Sequence, residues 1–278
     1  MSQSTVKKIP NNYFDGMPVT GFHKIVFFII MMAYFCEQMD NWNFGFIAPA
    51  LMHTWGLQMS DIGVVTLWYF IGMTAGGFFR GVISDFIGRR KTFLISIATF
   101  SFFSVLNGFT DNFHVFVIAR SMTGFGVFCL MVCSQAYIAE MAPASRRGGL
   151  VAWNQFAIIF GMLVVYFVNY FIALNGDEAW LTSTGWRLMF LSEVIPAALL
   201  FLLVLGVPES PRWLIMKGRE AKAVAILERI NGAPEAEVEA QSIRRSLHGT
   251  VKAKLFSYGV GVIVIGMLLS VFQQFIGI

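Results

Sequence analysis

Seven apolar runs of about 20 residues or more divide this chain, near 23–51, 62–80, 92–110, 113–137, 149–174, 186–207 and 255–278. About 20 residues, rising 1.5 Å each, cross a hydrocarbon core of about 30 Å. In that solvent each backbone polar group must be satisfied inside its own segment, and runs of this length do so only as helices. The chain is 56% hydrophobic and only 13% charged, more apolar than a soluble domain of its size. An all-α membrane protein in a lipid bilayer is the expected fold class. Boundaries read from the sequence divide it into a tail at 1–22, six spans at 23–207, a polar helical segment at 208–254 and a seventh span at 255–278.

Charge orients the spans. Lys and Arg number 20, and all but Arg120 and Arg187 fall on one side when the runs are threaded through a bilayer. The positive-inside bias makes that side the cytoplasm and puts the N-terminus there. Asp61, Asp111, Asp177 and Glu178 fall in the outer loops. The basic residues flank spans instead of gathering on one soluble surface, so no nucleic-acid partner is expected. Cys36, Cys129 and Cys133 lie inside apolar runs and read as free thiols. His23, His53, His114 and His248 are scattered, and no metal-cluster or nucleophile spacing occurs. No metal, cofactor or enzymatic activity is expected. The first apolar run is too long for a secretory signal.

Two charges stand inside spans. Arg120 opens the apolar part of span four, where a guanidinium costs roughly 2.5–3.5 kcal/mol on insertion scales. Span one is apolar to Phe35 and is then broken by Glu37, Gln38, Asp40, Asn41 and Asn43. Asp40 lies about 24 Å along the helix from Lys24, and Arg120 about 10 Å in from Phe113. Both depths fall in the outer half of the core, so the two charges can pair. Glu37, one turn earlier, is the rival partner, and Glu193 in span six is a second candidate proton site.

Gly72, Gly76, Gly77 and Gly81 in span two, and Gly124 and Gly126 in span four, read as close helix packing. In the tight loop 81–91, Asp85 can accept hydrogen bonds from a helix N-terminus, while Arg89 and Arg90 can reach Glu140. That makes a two-state charged network possible. The plain alternative is that these basic residues only signal topology. Gln155 in span five either bonds a neighbouring helix or binds a ligand. After Val207, Ser210-Pro211 reads as an N-cap followed by proline at the first helical position. Gly218 and Gly232 read as helix stops, and 234–247 as a further polar helix.

Three motifs carry a resemblance. Arg120 with its spaced glycines, Tyr137-Ile-Ala-Glu140-Met-Ala-Pro and Arg147-Gly is similar to the fourth span and following loop of sugar porters in the major facilitator superfamily. Gly81-Val-Ile-Ser-Asp85-Phe-Ile-Gly88-Arg89-Arg90-Lys91 resembles that family's loop between spans two and three. Pro208-Glu209-Ser210-Pro211-Arg212-Trp213-Leu214 resembles the segment after span six. The resemblance implies a major facilitator fold: an N-terminal six-span bundle, cytoplasmic helices, and the first span of a second half. It implies a monomer of the bacterial inner (plasma) membrane that imports xylose or a similar monosaccharide with a proton, by alternating access.

On the same resemblance, Asp40 takes the coupling proton and Arg120 tunes it. Gln155, Gln273 and Gln274 bind the sugar. Asp85, Arg89, Arg90, Glu140, Arg147, Glu209 and Arg212 form a cytoplasmic gate network. The family has twelve spans, so the chain is expected to be a fragment, a truncated gene or a chimera, inactive in uptake on its own. Phe86, Phe128 and Gln135 depart from the family pattern, as does Glu37-Gln38-Met39 before Asp40. These departures keep two alternatives open: an organic-acid or metabolite–proton symporter of the same superfamily, with Arg120 binding a carboxylate, and a sugar sensor that does not transport.

Overall fold

The computed structural model describes residues 21–141 and 147–249, with positions 261, 264, 265, 268 and 272. The expected tail up to residue 20, most of the expected seventh span, and Gln273 and Gln274 lie outside the described residues. The described chain is helical: α1 Gly21–Trp55, α2 Met59–Ile87, α3 Arg89–Phe109, α4 Phe113–Met141, α5 Arg147–Ala173, α6 Glu178–Trp180, a π-helical turn Leu181–Gly185, α7 Trp186–Ser192, α8 Val194–Leu205, α9 Pro211–Met216, α10 Glu220–Asn231 and α11 Ala233–Gly249. Among the described residues, five segments are long and apolar enough to cross a membrane: α2, α3, most of α4 and α5, and the run Glu178–Leu205. α1 is 35 residues long and packs among them.

The helices outrun the apolar runs. Apolar composition marks the lipid-facing part, whereas the hydrogen-bond ladder of α2 continues through Arg80 and Asp85 until Gly88, at φ 104°, stops it. The run Glu178–Leu205 is broken at Glu193. Pro196 offers no N–H to the carbonyl of Ser192, and the ladder restarts one residue later as α8.

Small residues set the packing, because lipid and protein interior are equally apolar and only close approach gains contact. α2 and α4 touch backbone to backbone: a Cβ on Gly72 or Gly76 would run into the main chain of Ser121 or Phe125. A Cβ on Gly126 would stand 2.8 Å from the Phe100 nitrogen, and one on Gly161 2.9 Å from the Phe35 carbonyl oxygen. These contacts join α4 to α3 and α5 to α1.

Two apolar clusters result. One holds Ile30, Phe93, Phe100, Leu130 and Leu200. The other holds Ile47, Leu51, Phe116, Trp186 and Phe190. Between them along α1 lies a layer of buried polar side chains: Glu37, Asp40 and Asn43. The first cluster adjoins the end of the bundle where Arg89, Arg90 and Lys91 open α3, here called the basic end. The second adjoins the far end.

Beyond the basic end, Ser210 caps α9, its hydroxyl accepting the Trp213 N–H at 3.3 Å with Pro211 as the first helical residue. Gly218 at φ 71° and Gly232 at φ 93° follow the ends of α9 and α10, in conformations that only glycine adopts without strain.

Candidate functional site

Arg120 on α4 is 2% exposed and Asp40 on α1 is fully buried. One guanidinium nitrogen of Arg120 donates to a carboxylate oxygen of Asp40, and the other donates to the Asp40 carbonyl at 3.1 Å. The Tyr69 hydroxyl of α2 donates to the second carboxylate oxygen at 2.8 Å. Rings enclose the cation: the guanidinium carbon lies 4.3 Å from the centre of Tyr69, 5.1 Å from Phe44 and 5.6 Å from Phe190. A desolvated charge requires a paired counter-charge and filled donors, and the aromatic faces add cation–π attraction. Glu37 is buried but turns elsewhere. It accepts the Gln38 amide at 3.0 Å, and Gln38 accepts the Trp42 indole at 3.1 Å.

Glu193 sits at the break between α7 and α8, 1% exposed. One oxygen accepts from Asn43 of α1 and the other from Ser104 of α3 at 3.1 Å. Asn43 also donates to the Met189 carbonyl at 2.8 Å and accepts from Asn169 of α5 at 2.8 Å. Three spans thus meet on one acid, and α5 joins them through Asn43. Gln155 stands apart. It is exposed on α5, two residues past Trp153, whose ring packs edge-on to Phe27 at 6.5 Å. That level is roughly 15–20 Å along α1 from Asp40. The structure does not bring Gln155 to the ion pair.

The basic end holds a second network. Arg89 binds Glu140 through two nitrogens at 3.0–3.3 Å and Asp85 at 2.7 Å. Glu209 accepts the backbone N–H groups of Arg89 at 2.8 Å, Arg90 at 3.0 Å and Ser210 at 3.0 Å. The anion at the start of α3 is therefore Glu209, whereas Asp85 serves the Arg89 side chain. Ser210 donates to Glu140 at 2.6 Å, and the Trp213 indole donates to the Asp85 carbonyl at 3.1 Å. Arg90 donates its side chain to the Leu205 carbonyl and does not reach Glu140. Arg212 points to Ser246 of α11 at 3.0 Å, away from these acids. Arg147 opens α5, and its side chain lies outside the described residues.

Sequence reasoning did not assign roles to Tyr69, Ser104 or Asn169, named Asn43 only as a break in span one, and read Ser210 as a helix cap without its bond to Glu140. A signal existed for four of them: each is a polar residue within an apolar run. Only depth-matching across all the runs would have grouped them.

Comparison with known proteins places this geometry. Residues 25–278 match the family model described as sugar (and other) transporter. The D-xylose-proton symporter of Escherichia coli (strain K12) is 44% identical over 259 residues, covering 86% of this chain and 52% of that protein. The arabinose-proton symporter of Bacillus subtilis (strain 168) is 32% identical, covering 98% of this chain and 61% of that protein. The chain thus spans about half the length of the curated relatives it matches. Among solved structures, the partially occluded inward open conformation of the xylose transporter XylE from E. coli superposes with a TM-score of 0.82 at 38% identity, over 92% of this chain and 64% of that one. The same transporter bound to 6-bromo-6-deoxy-D-glucose gives 0.82 at 39% identity, over 91% and 59%. The chain belongs to the sugar transporter family of the major facilitator superfamily.

Proposed function

We propose that this chain forms the N-terminal bundle of a proton-coupled monosaccharide transporter of the bacterial inner membrane, taking up xylose or a sugar like it by alternating access. Residues 23–207 are the six-span transport domain, 208–254 a cytoplasmic segment and 255–278 the first span of the second half. The N-terminus is cytoplasmic, and the protein acts as a monomer in the bilayer. Asp40 carries the coupling proton. Arg120 pairs with it, Tyr69 orients it, and Glu193 lies close by. Gln155, Gln273 and Gln274 bind the sugar hydroxyls, since amides both donate and accept. Asp85, Arg89, Glu140 and Glu209 close the cytoplasmic end, with Arg90, Arg147 and Arg212 flanking them.

The observation that carries the reading is the Asp40–Arg120 pair, buried between apolar clusters with every Asp40 oxygen engaged. It also weighs against the organic-acid alternative: Asp40 and three rings occupy Arg120, which leaves no face for a substrate carboxylate. The test is D-xylose uptake by proteoliposomes carrying the product of the whole gene, with and without an inward proton gradient. Accumulation above the equilibrium level only with the gradient supports the reading. Binding without flux would favour a sensor, and gradient-independent equilibration would remove proton coupling.

A further inference from the structure

A cavity of about 550 Å³ opens at the far end between α1, α5 and the π-helical turn. Neither Asp40, Arg120 nor Gln155 lines it. Its lining includes His53, Tyr166, Asn169, Tyr170, Thr182 and Trp186. The volume is that of a small-molecule pocket.

Three features point to an occupant. Asn169 is 2% exposed, and its amide nitrogen is used by Asn43, but its side-chain oxygen has no hydrogen-bond partner among the described residues. A buried acceptor left empty is costly, so a donor from a ligand would recover that cost. Tyr166 and Tyr170 present ring surface from α5, and Tyr166 is held edge-on by Phe46 at 5.1 Å and Trp42 at 6.3 Å. The wall at Thr182 belongs to the π-helical turn, an irregularity found often at functional sites. That turn is pinned by the Trp186 indole and by Thr54, both donating to the Thr182 carbonyl.

We propose that this cavity is a second binding site, distinct from the transport site, for a neutral polyol of monosaccharide size. A ligand hydroxyl donates to the Asn169 oxygen, and the ligand's C–H face lies on Tyr166 and Tyr170. Glu178 stands on the exposed rim, and the buried part of the lining carries no charged side chain that would select an ion. Asn169 bonds Asn43, which bonds Glu193. One amide therefore separates the cavity from the buried acid, and occupancy bears on how Asn43 holds Glu193.

The test uses a cysteine at Ala173, which lines the cavity, in the protein held in phosphatidylcholine nanodiscs. The native Cys36, Cys129 and Cys133 are buried and leave a low background. D-xylose is the probe and a small maleimide the label. At ten times the half-protecting sugar concentration, labelling should slow about tenfold by mass action. Asn169→Leu in the same background should abolish the protection, and Gln155→Leu should leave it. A Thr182→Cys reporter on the opposite wall should behave alike, and it decides the matter should Ala173→Cys fail to fold. Absence of protection, protection that survives Asn169→Leu, or protection lost with Gln155→Leu would each overturn the proposal. Protection by phosphatidylglycerol nanodiscs without sugar would also overturn it, by assigning the cavity to a lipid headgroup. This readout is independent of proton coupling, so a failure of gradient-driven uptake leaves it intact.

Discussion

Glu209 accepts the backbone N–H of Arg89 at 2.8 Å across 120 residues of sequence. The same oxygen takes the N–H groups of Arg90 and Ser210, so one carboxylate caps the start of α3 and ties it to the segment after α8. Gly88 makes room for it. Its φ of 104° is a glycine conformation, and a Cβ there would strike the Glu209 carboxylate.

Glu209→Ala should therefore loosen the basic end. Three backbone donors lose an anionic acceptor at a helix N-terminus, a loss of about 1–3 kcal/mol. The check is thermal unfolding in detergent together with maleimide labelling of a cysteine at Ser210. The midpoint should fall and labelling should accelerate. An unchanged midpoint and unchanged labelling would show that water replaces the carboxylate without cost.

Glycine substitutions should separate by position. Gly76→Ala puts a methyl group into the Phe125 backbone and should cost about 1–3 kcal/mol or most of the folded protein. Gly81→Ala, five residues on with nothing within 4 Å of the new carbon, should stay within about 0.5 kcal/mol of the parent. Yield of monodisperse protein and its unfolding midpoint measure both. Equal losses would mean that α2 and α4 do not hold each other through these contacts.

Asp40→Asn should abolish gradient-driven sugar accumulation in the product of the whole gene and spare sugar exchange, because the amide resembles the protonated acid in charge and shape. If Asp40 and Arg120 only join α1 to α4, the variant should instead lower the amount of folded protein, and what folds should remain coupled. Accumulation and exchange, both normalised to protein level, distinguish the two. Undiminished accumulation would move the coupling role to Glu37 or Glu193.

Cysteines introduced at Ser242 and Thr182 should label from opposite sides of the membrane, Ser242 from the cytoplasm. Labelling of both from one side would overturn the orientation read from the Lys and Arg bias.

The helices and the charged pair were legible because both are local signals read against a bilayer. Run length gives a span, and an arginine among apolar residues demands a partner at its own depth. The choice between Asp40 and Glu37 was not legible. They lie three residues apart on nearly the same side of α1, and only the positions of Tyr69 and Arg120 separate them. Nor was Glu209 visible as the cap of α3, because its partners are main-chain groups 120 and 119 residues away and no side-chain pattern marks them. The interruption at Glu193 was half visible. Pro196 announces a defect, whereas the acid that fills it is recognised only once Asn43 and Ser104 are beside it.

Tyr69 serves both charges at once, with its hydroxyl on Asp40 and its ring against Arg120. Its carbonyl lies against Gly124, where a Cβ on α4 would strike it, so Tyr69 and Arg120 ride on two helices locked main chain to main chain. Asp40 alone belongs to a different helix. The ion pair is therefore a tie across helices, joining α1 to the locked α2–α4 pair. α1 carries its own weak point nearby, because Pro49 leaves the carbonyl of Gly45 without its helical donor.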